Sequence, residues 1–220
     1  MAFKPFRFRK SSSYVLSGLV AIAIVVATSL SPAALSQDII SQDINGSLNQ
    51  LPAQEQSALQ AGDATVTGSN GQFTGRVLIN ASAPDVWQVL TDYDNFERFF
   101  PNVENSRLLE SANNRSVFEQ INVVQVFLFT QRSRIVVAST ESYPQQIDFL
   151  LVEGDLETLQ GTWQIEPVSS SPDQVLITHQ VSVEPNQGGA VRNVFFNIYQ
   201  NVLEDTLAAL KQEAERRINS

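Results

Sequence analysis

The C-terminal segment from Gly188 to Arg217 carries apolar side chains at helical spacing. No proline interrupts it, two glycines open it, and its last turns are rich in charge. The apolar stripe comprises Val191, Val194, Phe195, Ile198, Val202, Leu203, Leu207 and Leu210. A stripe this wide on a helix this long predicts that the helix lies against a large apolar surface.

The chain before this helix alternates between apolar and polar residues, a pattern typical of β-strands. We predict an edge strand at 63–67 and main strands near 72–80, 103–110, 115–124, 126–138, 145–153, 158–167 and 174–184. Short connections predict an antiparallel meander.

Three short helices break the strand pattern. One is predicted at 52–61, with proline at its start and glycine at its end. After the first main strand, Ser82 is suited to cap a second helix, and a third is predicted from Asn95 to Phe100, where Pro101 ends it. The predicted fold class is therefore α+β, a curved antiparallel sheet wrapped around the long C-terminal helix, with two short helices after the first main strand.

A sheet curled around one helix is expected to leave a wedge-shaped void between them. Strand alternation places a set of mostly aromatic side chains on the helix-facing side of that void. Taken singly each of them is typical of a core, but together they predict an apolar ligand site. The candidate ligand-binding residues are Phe127, Phe129, Phe149, Leu151, Trp163, His179, Val181, Phe195, Tyr199 and Val202.

His179 is the single histidine of the chain, and it falls on this apolar face. Three interpretations stay open: a buried neutral histidine bonded to a backbone carbonyl or a tyrosine, a polar anchor for a ligand, or a catalytic general base. His179 is thus the candidate catalytic residue if the protein is an enzyme.

Other polar and aromatic pairs have simpler explanations. Helix capping accounts for Asp92 and Asp94 better than acid–base chemistry or a cation site does. Arg132 and Arg134 are expected to be solvated. Phe99 and Phe100 are expected to form either a lid over the cavity or a corner of the core.

Composition excludes several function classes. The formal net charge is −9, and basic residues cluster at the N-terminal tip, so the body is too acidic to favour nucleic acid. The absence of cysteine excludes disulfides and thiol catalysis. A single histidine argues against a zinc site, and we expect no metal and no cofactor.

The N-terminus resembles a secretory signal. Basic residues from Lys4 to Lys10 precede an uncharged apolar stretch, Tyr14 to Leu30, and small residues follow Pro32. We predict a signal peptide at 1–36, a flexible linker at 37–51 and a ligand-binding domain at 52–220, exported to a periplasm or an equivalent lumen. The alternative is an uncleaved N-terminal membrane anchor.

The run Ala81-Ser82-Ala83-Pro84-Asp85-Val86-Trp87, continued to Phe96 and followed by Phe100-Pro101-Asn102-Val103, resembles the START-like SRPBCC superfamily. More narrowly, it is similar to the polyketide cyclase/dehydrase and coenzyme Q-binding START-domain branch. The pair Gly154-Asp155-Leu156 and Gly161-Thr162-Trp163 is similar to later strands of that branch.

The resemblance implies a helix-grip fold and a hydrophobic small-molecule ligand such as a lipid, a quinone or a polyketide. We therefore expect a binding or carrier protein rather than an enzyme. The alternatives are a cyclase or dehydratase that uses His179, and a protein-interaction module without a ligand. Transient membrane contact is left open, and no protein partner is identified.

Overall fold

The computed structural model describes residues 46–126, 129–169 and 171–220. The predicted signal peptide and most of the predicted linker lie outside the described residues. The helices are α1 (Ala53–Ala61), α2 (Ala83–Leu90) and α3 (Ala190–Ile218), with 3₁₀ turns at Ser47–Gln50 and Phe96–Arg98. The strands are β1 (Thr65–Ser69), β2 (Gln72–Ile79), β3 (Val103–Ala112), β4 (Arg115–Val126), β5 (Phe129–Ser142), β6 (Gln146–Gly154), β7 (Leu156–Val168) and β8 (Ser171–Pro185). None of these helices is both long and apolar enough to cross a membrane.

The strands form one curved antiparallel sheet of eight strands in the order β1-β2-β8-β7-β6-β5-β4-β3. The predicted meander is confirmed from β3 to β8, and β2 closes back onto β8. Register shifts interrupt the β3–β4, β5–β6 and β7–β8 ladders, and such bulges bend the strands that carry them. The predicted α+β helix-grip architecture is therefore confirmed.

Helix α2 forms where its sequence predicts it. The Ser82 hydroxyl accepts a hydrogen bond from the Asp85 backbone N–H, and proline occupies the first turn. Its apolar face, Val86, Trp87, Val89 and Leu90, is buried. The next predicted helix is shorter than expected, a single 3₁₀ turn at Phe96–Arg98, whose Phe96 lies in the main core.

The C-terminal helix lies directly on β2 at one point. A Cβ atom built on Gly75 would come within 2.6 Å of Leu207 Cδ1 and 3.4 Å of Leu203 Cγ. Both leucines are buried, so the helix packs against the bare backbone of the strand. A side chain at position 75 would force Leu207 to shift, so glycine favours this close approach.

The buried stripe of α3 differs from the predicted one at its N-terminal end. Phe196, which the predicted stripe omits, is buried against Phe73 and beneath the Arg192 guanidinium. Val191 and Val194 are instead 54% and 42% exposed. The helix begins at Ala190 rather than Gly188, because Gly189 adopts a positive φ of 68°.

The C-terminal end of α3 is held by Arg217. Its guanidinium donates to Asp92 and to Glu213, each at 2.7 Å, and lies 5.4 Å from the centre of the Phe99 ring. The assignment of Asp92 and Asp94 to helix capping is wrong: Asp92 binds Arg217 and Asn95, whereas Asp94 accepts the Leu108 N–H. Both carboxylates serve long-range contacts that sequence spacing does not reveal.

The predicted linker ends earlier than expected. In the described part of the chain, Leu48 and Leu51 pack against a small cluster formed by Leu59, Leu78 and Leu176. These leucines, together with the bond from Ser47 Oγ to Glu166, fasten residues 46–51 to the domain.

We predict that Gly75→Val destabilises the protein by about 1–3 kcal/mol, because the added side chain overlaps Leu207 in a packed core. Urea unfolding measures this change. The control is Gly188→Val, since a Cβ at Gly188 meets nothing within 4 Å and the change should stay within about 0.5 kcal/mol. Equal stability of the two variants would contradict the direct contact of α3 with β2.

Candidate ligand-binding cavity

A cavity of about 950 Å³ lies between α3 and the sheet. Volumes in this range are typical of small-molecule sites. One end of its lining is formed by the aromatic residues Tyr93, Phe96, Phe100 and Phe118, which pack against one another. Phe100 is buried in the core and lines this end, and Phe99 packs beside it, so the pair forms a corner of the core rather than a lid.

Six of the candidate residues line this cavity. They are Phe149, Trp163, His179, Phe195, Tyr199 and Val202. The sheet supplies the first three and α3 supplies the others. Whether they bind a ligand stays a prediction.

The other four candidates are placed differently. Val181 is buried in the core beside Phe73, and Leu151 packs against the core outside the cavity lining. Alternation assigned both to the correct face, but it does not reveal how far along a strand the cavity extends. Phe127 lies outside the described residues, and Phe129 is described only as the first residue of β5, paired with Val126.

His179 lies within an aromatic stack. Its ring centre is 3.7 Å from that of Trp163 and 5.4 Å from that of Phe149, with nearly parallel planes. The side chain is buried, and its Nδ1 atom has no hydrogen-bond partner among the described residues. Burial lowers the pKa of His179 to about 3 because it penalises the charged imidazolium.

This environment fixes the protonation state of His179. The ring is neutral at physiological pH, because its pKa lies far below that range. A pKa this low makes a poor general base near neutrality, where catalytic bases have pKa values close to the working pH. The burial agrees with the predicted buried, neutral histidine, and the role of its ring stays a prediction.

Two tyrosines on the lining keep their protons. Tyr93 donates to Glu141 at 2.8 Å and lies 2.9 Å from the Ser139 hydroxyl, and its burial raises its pKa. Burial likewise raises the pKa of Tyr199. Neither phenol supplies a phenolate at neutral pH.

Sequence reasoning missed a group of amide side chains on the wall formed by β4 and the start of β3. Phe118, Gln120, Asn122 and Val124 share one face of β4, and all four line the cavity together with Asn102. The Asn102 Nδ2 atom is buried without a hydrogen-bond partner among the described residues. The β4 alternation contained this signal, because amides share a face with a large aromatic residue.

Charged lining residues are confined to exposed positions and have partners. Arg132 forms a two-point contact with Glu104 at 2.6 and 2.7 Å. Asp155 accepts the Arg134 backbone N–H at 2.7 Å. Arg134 itself pairs with Glu119 and Glu153.

An antiparallel sheet that curls around a long C-terminal helix and leaves an apolar cavity between them defines a START-like helix-grip domain. In sequence, residues 79–211 match the family described as polyketide cyclase/dehydrase and lipid transport. The chain belongs to this family, and the resemblance to the START-like superfamily is confirmed.

Solved structures share the fold. A protein of Thermus thermophilus matches with a TM-score of 0.60 and 18% identity over 68% of this chain and 99% of that one. The Zhui aromatase/cyclase of a Streptomyces species matches with a TM-score of 0.58 and 17% identity, over 67% of this chain and 94% of that one. A STAR-related lipid transfer protein of Xanthomonas axonopodis matches with a TM-score of 0.57 and 21% identity, over 69% of this chain and 92% of that one. Among curated proteins, none matches this chain in sequence.

We predict that the imidazole of His179 does not titrate between pH 5 and pH 8. The unfolded imidazole binds a proton near pH 6.5, whereas the folded one does so only near pH 3. The stability that this group contributes is therefore lost as the pH falls from about 6.5 to about 3.

Proton NMR of the untagged protein measures the titration directly, since the chain has one histidine. Ring resonances that stay constant from pH 5 to pH 8 are the expected result. A midpoint near 6.5 would contradict the buried, neutral state.

Proposed function

We propose that this protein is an exported carrier that binds a hydrophobic small molecule, such as a lipid, a quinone or a polyketide-like compound, in the cavity between α3 and the sheet. The observation that supports this most is the cavity itself, about 950 Å³ of space that the surrounding aromatic and aliphatic side chains leave unfilled. Well-packed cores contain few voids larger than a water molecule, so a space of this size has a functional explanation.

Desolvation supplies the binding free energy. Each ~100 Å² of apolar ligand surface removed from water contributes about 2.5 kcal/mol. Part of this gain offsets the freedom that the ligand loses on binding. An aromatic wall such as Phe149, Trp163 and Phe195 suits a flat or extended apolar molecule.

The proposal favours a carrier over the two alternatives. A cyclase or dehydratase would need a base in the cavity, and the buried His179, with a pKa near 3, is poorly suited to that role. A module that acts only through protein contacts would have no use for the cavity. Replacing His179 by Gln distinguishes the carrier from the enzyme. An enzyme that uses His179 would lose turnover while its ligand uptake survives.

We predict that the protein takes up the neutral apolar dye Nile red and that Val202→Trp weakens this binding at least tenfold. Val202 lines the cavity from α3, so an indole at this position occupies space that the ligand needs. Fluorescence titration measures the affinity, and circular dichroism checks the fold of the variant.

Asn201→Trp is the matched control, because Asn201 is exposed on the same helix, one residue before Val202. It should bind the dye as the unmodified protein does. No uptake by the unmodified protein, or an equal loss in both variants, would refute the cavity as the binding site.

Export is the second part of the proposal, and it rests on the basic, apolar and small-residue pattern of residues 1–36. We predict that intact-mass analysis of the protein recovered from its natural host gives a chain beginning at Gln37 and located outside the cytoplasm. A chain that keeps residues 1–36 in the membrane fraction would support the uncleaved anchor instead.

A further inference from the structure

Strand β4 turns polar side chains toward the cavity and apolar side chains away from it. Gln120 and Asn122 line the cavity, whereas Ile121 and Val123 lie on the other face of the strand. A strand with one covered face ordinarily turns its apolar side chains inward. The ladder between β4 and β5 is continuous along the described length of both strands, so a bulge in it does not cause this inversion.

Three polar side chains on this wall are open to the cavity. Gln120, Asn122 and Ser133 all line it, and each is partly exposed rather than fully buried. None of the three side chains has a hydrogen-bond partner among the described residues. A molecule inside the cavity can therefore contact them and supply their hydrogen bonds.

Strand pairing brings these three side chains together. Asn122 pairs directly with Ser133 across the β4–β5 ladder, and Gln120 lies two residues before Asn122 on the same face. Directly opposite residues have Cβ atoms about 5 Å apart, and residues i and i+2 of one strand are about 7 Å apart. Gln120, Asn122 and Ser133 thus form one polar strip, which a single small molecule can span.

The helix side of the cavity has the opposite character. Helix α3 contributes mainly aliphatic and aromatic side chains to the lining: Val191, Val194, Phe195, Ile198 and Val202. The cavity therefore offers an apolar surface on its helix side and hydrogen-bonding groups along the polar strip.

A ligand that displaces water from the polar strip must replace the hydrogen bonds that water makes there. A plain hydrocarbon surface cannot do so, and each group left without a partner weakens binding by about tenfold. Carboxamide and hydroxyl groups both donate and accept hydrogen bonds, so either hydroxyl or carbonyl oxygens on the ligand satisfy them.

We infer that the ligand is a facially amphipathic molecule, with an apolar face toward α3 and two or more hydroxyl or carbonyl oxygens along the edge that meets the polar strip. This inference rests on the proposed carrier function and narrows its ligand class. It selects molecules with several oxygens along one side and disfavours acyl lipids, whose polar groups lie at one end.

The test compares two probes that share one steroid skeleton and one methyl ester. Methyl cholate carries three hydroxyl groups on one face of its rings, whereas methyl cholanate carries none. Displacement of Nile red measures their relative affinities, with both probes kept below their solubility limits. We expect methyl cholate to bind at least as tightly as methyl cholanate, although its hydroxyl groups make it less hydrophobic.

Variants locate the contact. Gln120→Leu and Asn122→Leu remove the amides and keep a similar side-chain volume. Together they should lower the ratio of methyl cholate affinity to methyl cholanate affinity at least tenfold. Asn105→Leu is the control, because Asn105 is exposed on β3 and is not part of the cavity lining; it should leave the ratio unchanged.

Urea unfolding of the ligand-free variants distinguishes a binding role of the amides from a structural one. Leucine at these positions adds apolar surface to an inner wall, so neither single variant should lower the unfolding midpoint more than Asn105→Leu does. Clearly lower midpoints for both Gln120→Leu and Asn122→Leu would mean that the amides support the fold, and would overturn the inference.

The outcomes separate the two proposals. Methyl cholate that binds the unmodified protein more weakly than methyl cholanate overturns the inference on ligand class and leaves the carrier function standing, whether or not the variants fold. An affinity ratio that the double variant does not change also overturns it. If Nile red binds in the cavity and neither probe displaces it, the inference on ligand class fails alone; if neither the dye nor the probes bind, the carrier function itself fails.

Discussion

The contact of α3 with the bare backbone of β2 at Gly75 is the constraint on which the rest of the structure depends. Leu203 and Leu207 lie against this glycine, so helix and sheet meet with no side chain between them. The neighbour of Gly75 across the β2–β8 ladder is His179, whose ring stacks on Trp163 and Phe149. From this point toward β3 the curved sheet and the helix enclose space instead of filling it, and the cavity lies there.

Polar groups differ between the outer surface of the protein and its interior. On the outside, guanidinium groups pair with carboxylates, as Arg132 does with Glu104 and Arg217 with Asp92. Inside, the polar groups are neutral, and two of them, on Asn102 and His179, keep unpaired atoms in the described structure.

Local sequence signals predicted the elements but not every contact between them. Helix α2 was predictable because its cap, proline and apolar face lie within ten residues, and the meander followed from short loops. The closure of β2 onto β8 joins distant segments, and no local pattern encodes it. Helical periodicity likewise predicted the apolar stripe of α3 but not which residues are buried at its N-terminal end. There Phe196 is buried and Val191 is exposed, and both depend on how far the sheet extends beneath the helix. The amides of the cavity wall were visible in the β4 alternation, whereas the unpaired state of Asn102 required coordinates.

Native mass spectrometry of the protein isolated from its natural host tests the central claim most directly. The account predicts that the folded protein has a greater mass than the denatured chain, by the mass of one apolar molecule that organic solvent extracts. Identical masses in the two states, together with no uptake when the protein is incubated with a lipid extract of that host, would contradict it.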